Sequence, residues 1–256
     1  MQIENNVALV SGGASGLGEA AVRRVVAAGG KALIADLNAD KGKALADELG
    51  DAAVYVTCDV SDQGSVSAAV DAAADLGDLR VAVSCAGIGW AGRTLNRDGS
   101  PHDMVPFEKV IEVNVFGTFN VLRIAAAKIA QLDPVNDDGE RGVVVNTASV
   151  AAFDGQTGQI AYAASKGGVV SLTLPAARDL SPVGIRVCTI APGVIDTPLM
   201  ALAGDATREG LGAVIPFPKR YGMPDEYAHL VEAIVTNPYL NGETIRLDGG
   251  IRMPPK

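Results

Sequence analysis

The 256-residue chain is poor in the residues that build several common functional classes. It holds three cysteines, Cys58, Cys85 and Cys188, odd in number, far apart and without a C-x-x-C pair. A disulfide framework is therefore not expected, and a reducing compartment is the simpler reading. The two histidines, His102 and His229, are distant in sequence, so no metal site is expected. Positive charge is also short: 21 Lys and Arg stand against 30 Asp and Glu, a net charge of −9. Nucleic acid and anionic membranes both select concentrated Lys and Arg, so neither is expected as a main partner. A phosphorylated ligand held locally at a helix N-terminus stays open. No uninterrupted apolar run approaches the roughly 18–20 residues of a membrane span. The opening MQIENN lacks the basic and apolar regions of a signal peptide, and a cytoplasmic protein is expected.

What is present is a chain 48% hydrophobic and 20% charged, the balance of a globular protein. Short apolar runs occur at Val7–Val10, Lys31–Ala35, Ala53–Thr57, Val81–Ser84, Gly142–Asn146, Ile185–Ile190 and Thr244–Leu247. Continuous apolar runs of this length suit strands buried on both faces of a parallel sheet. Helical windows lie between them near 16–28, 40–49, 62–76, 104–131, 161–180 and 225–236. The alternation predicts one α/β domain over residues 1–256. It should be a Rossmann-like doubly wound parallel sheet of about seven strands, with helices on both faces. Ser61 is the expected N-cap of the third helix, and Pro175 is expected to kink or interrupt the helix begun near Tyr162. Loops are expected at 88–103, 132–141 and 193–222, where Gly, Pro and polar residues cluster. Ligands of such folds usually bind above the carboxyl edge of the sheet.

The first motif is Ser11-Gly12-Gly13-Ala14-Ser15-Gly16-Leu17-Gly18, between a strand and a helix. Glycines 12, 16 and 18 permit a tight turn and let a pyrophosphate meet the helix N-terminus. The spacing is G-x-x-x-G-x-G rather than G-x-G-x-x-G. Asp36 ends the second strand, at about the distance where an acidic residue takes the adenosine ribose hydroxyls. Its carboxylate would repel a 2′-phosphate, so NAD is the expected cofactor. Asp59 and Val60, after the third strand, are placed to face an adenine, although an aspartate there also caps turns. Cys85-Ala86-Gly87, in "SCAGIG", would let a cofactor pass close to the backbone; a tight structural turn explains the same residues. Asn114 interrupts an apolar helix, and burying its amide unpartnered would cost about 1–3 kcal/mol, so it needs hydrogen bonds.

Ser149, Tyr162 and Lys166 form the chemical set. Ser149 follows the apolar run "GVVVN" and should stand at a strand's carboxyl end. Tyr162 and Lys166 share one helix face, with Cβ atoms roughly 5–6 Å apart. The phenolate lies roughly 4 kcal/mol uphill at neutral pH, and a nearby ammonium would reduce that cost. A tyrosine tuned in this way can exchange a proton with an alcohol or carbonyl oxygen. A Tyr-x-x-x-Lys spacing alone is common by chance; the upstream nucleotide motif is what singles this one out.

Together these motifs resemble the short-chain dehydrogenase/reductase family, in that family's order and over essentially the whole chain. The resemblance implies that Tyr162 is the general acid/base and that Ser149 hydrogen-bonds the reacting oxygen. Lys166 would tune the tyrosine and hold the nicotinamide ribose, and Asn114 would support a proton relay. "APGVIDTP" is similar to the segment along the nicotinamide, which implicates Ile195 and Thr197. Longer stretches, among them "VPFEKVIEVNVFGTFNV" and "NGETIRLDGGIRM", resemble the type-2 3-hydroxyacyl-CoA dehydrogenase group within the family. That implies NAD-dependent oxidation of 3-hydroxyacyl-CoA esters, including 2-methyl-branched ones, in a homotetramer. Other family chemistries stay open: 3-oxoacyl-thioester reduction, or oxidation of secondary and steroid alcohols. A third reading, an NAD-binding scaffold or regulator without catalysis, is disfavoured by the intact Ser149, Tyr162 and Lys166. Gln156 and Gln159 are expected on the substrate side, with residues 196–215 as a lid. Arg93 and Arg97 either meet CoA phosphates or belong to a solvated loop. Two positions depart from the family pattern: Ser11 stands where threonine is usual, and Ser84 where an asparagine is expected to brace neighbouring strands.

Overall fold

The computed structural model describes residues 1–201, 210, 212 and 214–255. Each expected apolar run is a strand: β1 Val7–Ser11, β2 Lys31–Asp36, β3 Ala53–Thr57, β4 Leu79–Ser84, β5 Gly142–Thr147, β6 Ile185–Pro192 and β7 Thr244–Leu247. They form one sheet in the order β3-β2-β1-β4-β5-β6-β7, and every neighbouring pair is parallel. The order reverses between β1 and β4, and at such a switch point the loops diverge and leave a crevice.

Strand alternation divides the core into two layers. Ala8 and Val10 of β1 join Val81 and Val83 of β4 and Val143 and Val145 of β5 on one face. That face packs against helices α1 Gly16–Ala27 and α2 Ala39–Leu49, and against Tyr227, Val231, Ile234 and Val235 of a late helix, Pro224–Thr236. Val7 and Leu9, turned the other way, join Ala82, Val144 and Val187. They are covered by α3 Gln63–Asp75, α5 Gly117–Ile129 and α6 Ile160–Leu180. Burying both faces is what makes the strands read as unbroken apolar runs.

Helix α4, Met104–Ile111, runs through a π-helical turn, Glu112–Phe116, into α5. The resulting 26-residue helix contains an 18-residue stretch with a mean hydropathy of 1.4 and is long enough to cross a membrane. Its apolar residues Val121, Leu122, Ala125, Ala126 and Ile129 are instead spent on the sheet. A short α7, Pro198–Ala201, precedes α8, the late helix Pro224–Thr236.

Two local expectations are corrected. Helix α3 is capped by Asp62, whose carboxylate accepts from Ser65 N at 2.6 Å. Ser61 turns the other way and donates its hydroxyl to Asp59 at 2.6 Å. Helix α6 is not interrupted at Pro175 but runs through it, 21 residues in all. Packing holds it: Val169, Thr173 and Ala177 are buried, and the Thr173 hydroxyl meets that of Thr189 on β6 at 2.6 Å. The 132–141 connection also carries a buried group. Glu140, 5% exposed, accepts from Arg186 of β6 at 2.8 and 3.0 Å.

Candidate active site

At the switch point the glycine loop leaves β1. Gly12 has φ +65°, and a Cβ there would lie 2.6 Å from Ala86 N, so the loop and the β4 end touch backbone to backbone. Gly18, one turn into α1, packs on the Gly12 carbonyl with no room for a side chain. The loop is thereby pressed against the helix start, where free N–H groups favour an anion. A cleft of about 420 Å³ opens above it. Gly12, Ser15, Gly16, Leu17 and Gly18 form one side and Cys85, Ala86 and Gly87 the other, with Asp36, Asp59, Val60 and Thr197 at the periphery. Twelve of the residues singled out for a cofactor thus share one cavity. This donor set fits an extended dinucleotide: a backbone cradle for pyrophosphate, with carboxylates farther along for sugar and base hydroxyl or amino groups.

Asp36 is held in place by two backbone donors. Its Oδ2 accepts from Ala14 N at 3.0 Å and its Oδ1 from Asn38 N at 2.8 Å. Asp59 Oδ1 takes the Ser61 hydroxyl and amide, and these bonds hold its carboxyl below the usual range. Leu37, Cys58, Ile88, Lys109, Val113 and Pro198 also line the cleft, and sequence reasoning missed them. Leu37, Cys58, Ile88 and Pro198 adjoin motif residues, so adjacency was an available signal. Lys109 arrives on α4 and Val113 in the π-helical turn that follows it, and only the tertiary fold brings both there. Ile195 does not line the cleft. It is 6% exposed and packs against Gly222, with which its backbone pairs.

Tyr162, Lys166 and Ser149 stand beyond the Gly87 end. Ser149 caps a short 3-10 turn, Val150–Ala152, its Oγ accepting from Ala151 N at 3.1 Å. Tyr162 lies in the first turn of α6 with Lys166 one turn on, its Nζ 5.8 Å from the ring centroid. Burial pushes the Tyr162 phenol above its ordinary value, and hydrogen bonding with Ser149 pulls it partly back. Burial also pushes the Lys166 ammonium down, to about 8. The lysine was expected to make the phenolate cheaper; in the protein alone, burial is the dominant influence on the phenol. Lys166 donates instead to the Thr147 carbonyl at 2.8 Å. A Cβ on Gly87 would lie 3.4 Å from Lys166 Nζ and 3.2 Å from Asn114 Oδ1, so the cleft wall ends on these two side chains.

Asn114 sits in the π-helical turn with no exposed surface. Its Oδ1 accepts from Ile88 N at 2.8 Å, and its Nδ2 donates to Ile88 O and Ser165 Oγ, each at 2.9 Å. Ser165 Oγ in turn donates to the Tyr162 carbonyl at 2.8 Å. The amide therefore ties the cleft wall to the helix that carries Tyr162. Its hydrogen bonds are the work that its burial demanded.

Gln156 and Gln159 line a second, more open cavity of about 610 Å³, together with Arg93. Gln156 Nε2 donates to Pro254 O at 3.0 Å, and Gln159 Oε1 accepts from Gln156 N at 3.1 Å. The 88–103 loop is fastened here, with Gly92 N donating to Gly158 O at 2.8 Å. Arg97 is not among the residues lining that cavity. Much of the expected lid at 196–215 lies outside the described residues.

The family model described as short chain dehydrogenase matches residues 6–207. A Drosophila melanogaster protein named 3-hydroxyacyl-CoA dehydrogenase type-2 is 52% identical over 255 residues, covering 99% of this chain and all of the relative. The Homo sapiens protein of the same name is 50% identical, over 99% of this chain and 97% of the relative. A crystal structure of 3-hydroxyacyl-CoA dehydrogenase type-2 from Mycobacterium avium matches with a TM-score of 0.94 and 53% identity, over 98% of both chains.

Proposed function

From the premise that this chain belongs to the short-chain dehydrogenase family, we propose that it oxidises 3-hydroxyacyl-CoA thioesters, 2-methyl-branched ones included, to 3-oxoacyl-CoA with NAD. Use of a nicotinamide cofactor follows from the family. The choice of NAD over NADP is supported by Asp36 at the end of β2, followed by the apolar Leu37, because neither offers a 2′-phosphate a positive partner. The observation that carries the reading is the convergence at Gly87, where the wall of the dinucleotide cleft stops against Lys166, one helical turn beyond Tyr162.

The bound dinucleotide supplies the hydride acceptor. Ser149 hydrogen-bonds the substrate's 3-oxygen through its hydroxyl, keeping its own proton, and holds that oxygen before Tyr162. Tyr162 takes the proton of that 3-hydroxyl as C3 is oxidised. Lys166, while protonated, favours the phenolate that makes Tyr162 a base and offers its remaining donors to the cofactor ribose. Asn114 keeps Ile88 and Ser165 fixed on either side of this set.

The remaining readings are a cytoplasmic location, supported by three free cysteines, and a homotetramer. The tetramer is supported by Phe116 beside α5, Phe119 on α5 and Leu174 on α6, large apolar side chains 59%, 50% and 45% exposed. The test is a kinetic panel of 3-hydroxyacyl-CoA esters and steroid alcohols with NAD and with NADP. The reading requires the acyl-CoA esters with NAD to show the highest kcat/KM. A steroid or simple secondary alcohol ahead of every thioester would overturn it.

A further inference from the structure

Beneath the cleft, a row of polar side chains crosses the carboxyl ends of three strands. Ser11 of β1 is in register with Ser84 of β4, and Ser84 with Asn146 of β5. Alternation assigns them to one face. Val10, Val83 and Val145, one residue earlier, belong to the core under α1 and α8. Leu9, Ala82 and Val144, two residues earlier, belong to the core under α3, α5 and α6, so the row points towards those helices. Ser11, Ser84 and Asn146 are 1%, 2% and 0% exposed. Ser11 Oγ, Ser84 Oγ and both polar atoms of the Asn146 amide have no hydrogen-bond partner among the described residues. One strand farther, Thr189 faces Asn146 and is satisfied by Thr173 at 2.6 Å, so the unpaired set ends at Asn146.

Orphan groups of this kind are rare because each carries its full desolvation cost. Four together would rival the net stability of a domain. We propose that Ser11, Ser84 and Asn146 form a binding site for internal water, with at least one molecule bridging Ser84 and Asn146. The chemistry selects water over other ligands. The row is uncharged, mixes hydroxyl and amide donors with oxygen acceptors, and is almost wholly shielded from bulk solvent. Adjacent strands lie about 4.8 Å apart, and no side chain of the row bridges that gap to its neighbour. One buried water typically makes about three hydrogen bonds, so one or two molecules account for the four groups on offer. Serine at 84 is the chain's own contribution, because an asparagine there has the length to approach Asn146 directly. The site lies one residue before each of three functional segments: the Gly12 loop, the Cys85 wall, and Thr147, whose carbonyl receives Lys166. Water here would set the relative height of those strand ends, whatever substrate the protein takes.

The test is a high-resolution crystal structure of the full chain, paired with Ser84→Asn and with a count of long-lived waters by ¹⁷O relaxation dispersion. The expected result is ordered water density within about 3.2 Å of Ser84 Oγ and of the Asn146 amide. In Ser84→Asn the new amide should take that place, and the count of internal waters should fall. The proposal is overturned if the wild-type site holds no density and the three side chains pair with each other or with backbone. An unchanged water count in a folded Ser84→Asn variant overturns it equally. Should that variant not fold, the wild-type density decides.

Discussion

Lys166 Nζ donates to the Thr147 carbonyl at 2.8 Å, a bond that ties the fourth residue after Tyr162 to the strand leading to Ser149. This contact helps fix the spacing of the chemical set, because it pins the first turns of α6 to the end of β5 by a direct polar bond. It also holds a cation 5% exposed, which is costly. The lysine is therefore a site where function and stability pull in opposite directions.

Lys166→Met should separate the two. Displacing the ammonium from its ordinary 10.5 to about 8 corresponds to about 3 kcal/mol of burial cost at neutral pH. Between those values the unfolded chain binds a proton that the folded protein has released, so this group's contribution to stability rises with pH across that window. Lys166→Met should be as stable as wild type or more so at pH 7, lack the rise between pH 8 and 10, and lose at least about 100-fold in kcat. Chemical denaturation at both pH values, with turnover assays, checks this. A large loss of stability at pH 7 would refute the account.

Tyr162→Phe keeps the ring and removes only the group that exchanges a proton. Turnover should fall about 10²–10⁴-fold while NAD binding, followed by titration, changes little. Near-normal turnover would end the proposed mechanism. Ser149→Ala should show a comparable fall in kcat with its binding of NAD intact.

Asp36→Asn preserves an oxygen acceptor for Ala14 N or Asn38 N but removes the negative charge. The kcat/KM preference for NAD over NADP should drop at least about tenfold, equivalent to about 1.4 kcal/mol. Paired kinetics with the two cofactors measure it, and an unchanged ratio would mean that another group excludes the 2′-phosphate.

Glu140 and Arg186 carry stability at a distance from the chemistry. Burial pushes the Glu140 carboxyl up, but hydrogen bonds from the N-terminal ammonium and Arg186 outweigh it and hold the group below its usual range. Its folded value lies below the unfolded one, so its contribution is complete above the ordinary 4.5 and is lost as pH falls through the lower folded value. Glu140→Gln should cost about 3–5 kcal/mol at pH 7, with kcat unchanged in the folded fraction. It should also flatten the loss of stability on acidification below about pH 4.5. Urea titrations at pH 7 and below pH 4 compare the slopes.

The cofactor half was legible because its demands are local. A turn that needs Gly12 at φ +65° and no side chain at Gly18 leaves its mark in consecutive residues. The seven strands were legible because burial on both faces removes polar residues from each run. Lys109 and Val113 were not, since nothing near them in sequence refers to the cleft that they line. That the helix runs uninterrupted through Pro175 was not legible for the same reason, because the packing of Thr173 against Thr189 is not visible locally.

Sequence alone determined the doubly wound sheet, the glycine loop and the Tyr162–Lys166 spacing, each of which follows from periodicity or from steric limits on neighbouring residues. Only the tertiary structure decided what those residues experience. It placed Gly87 against Lys166 and Asn114, and it buried the lysine and partly buried the tyrosine, so that both resist charge. It also aligned Ser11, Ser84 and Asn146 into one unpaired row. Burial and hydrogen-bond satisfaction depend on what other strands and helices bring to a position, and those partners are dozens of residues away along the chain.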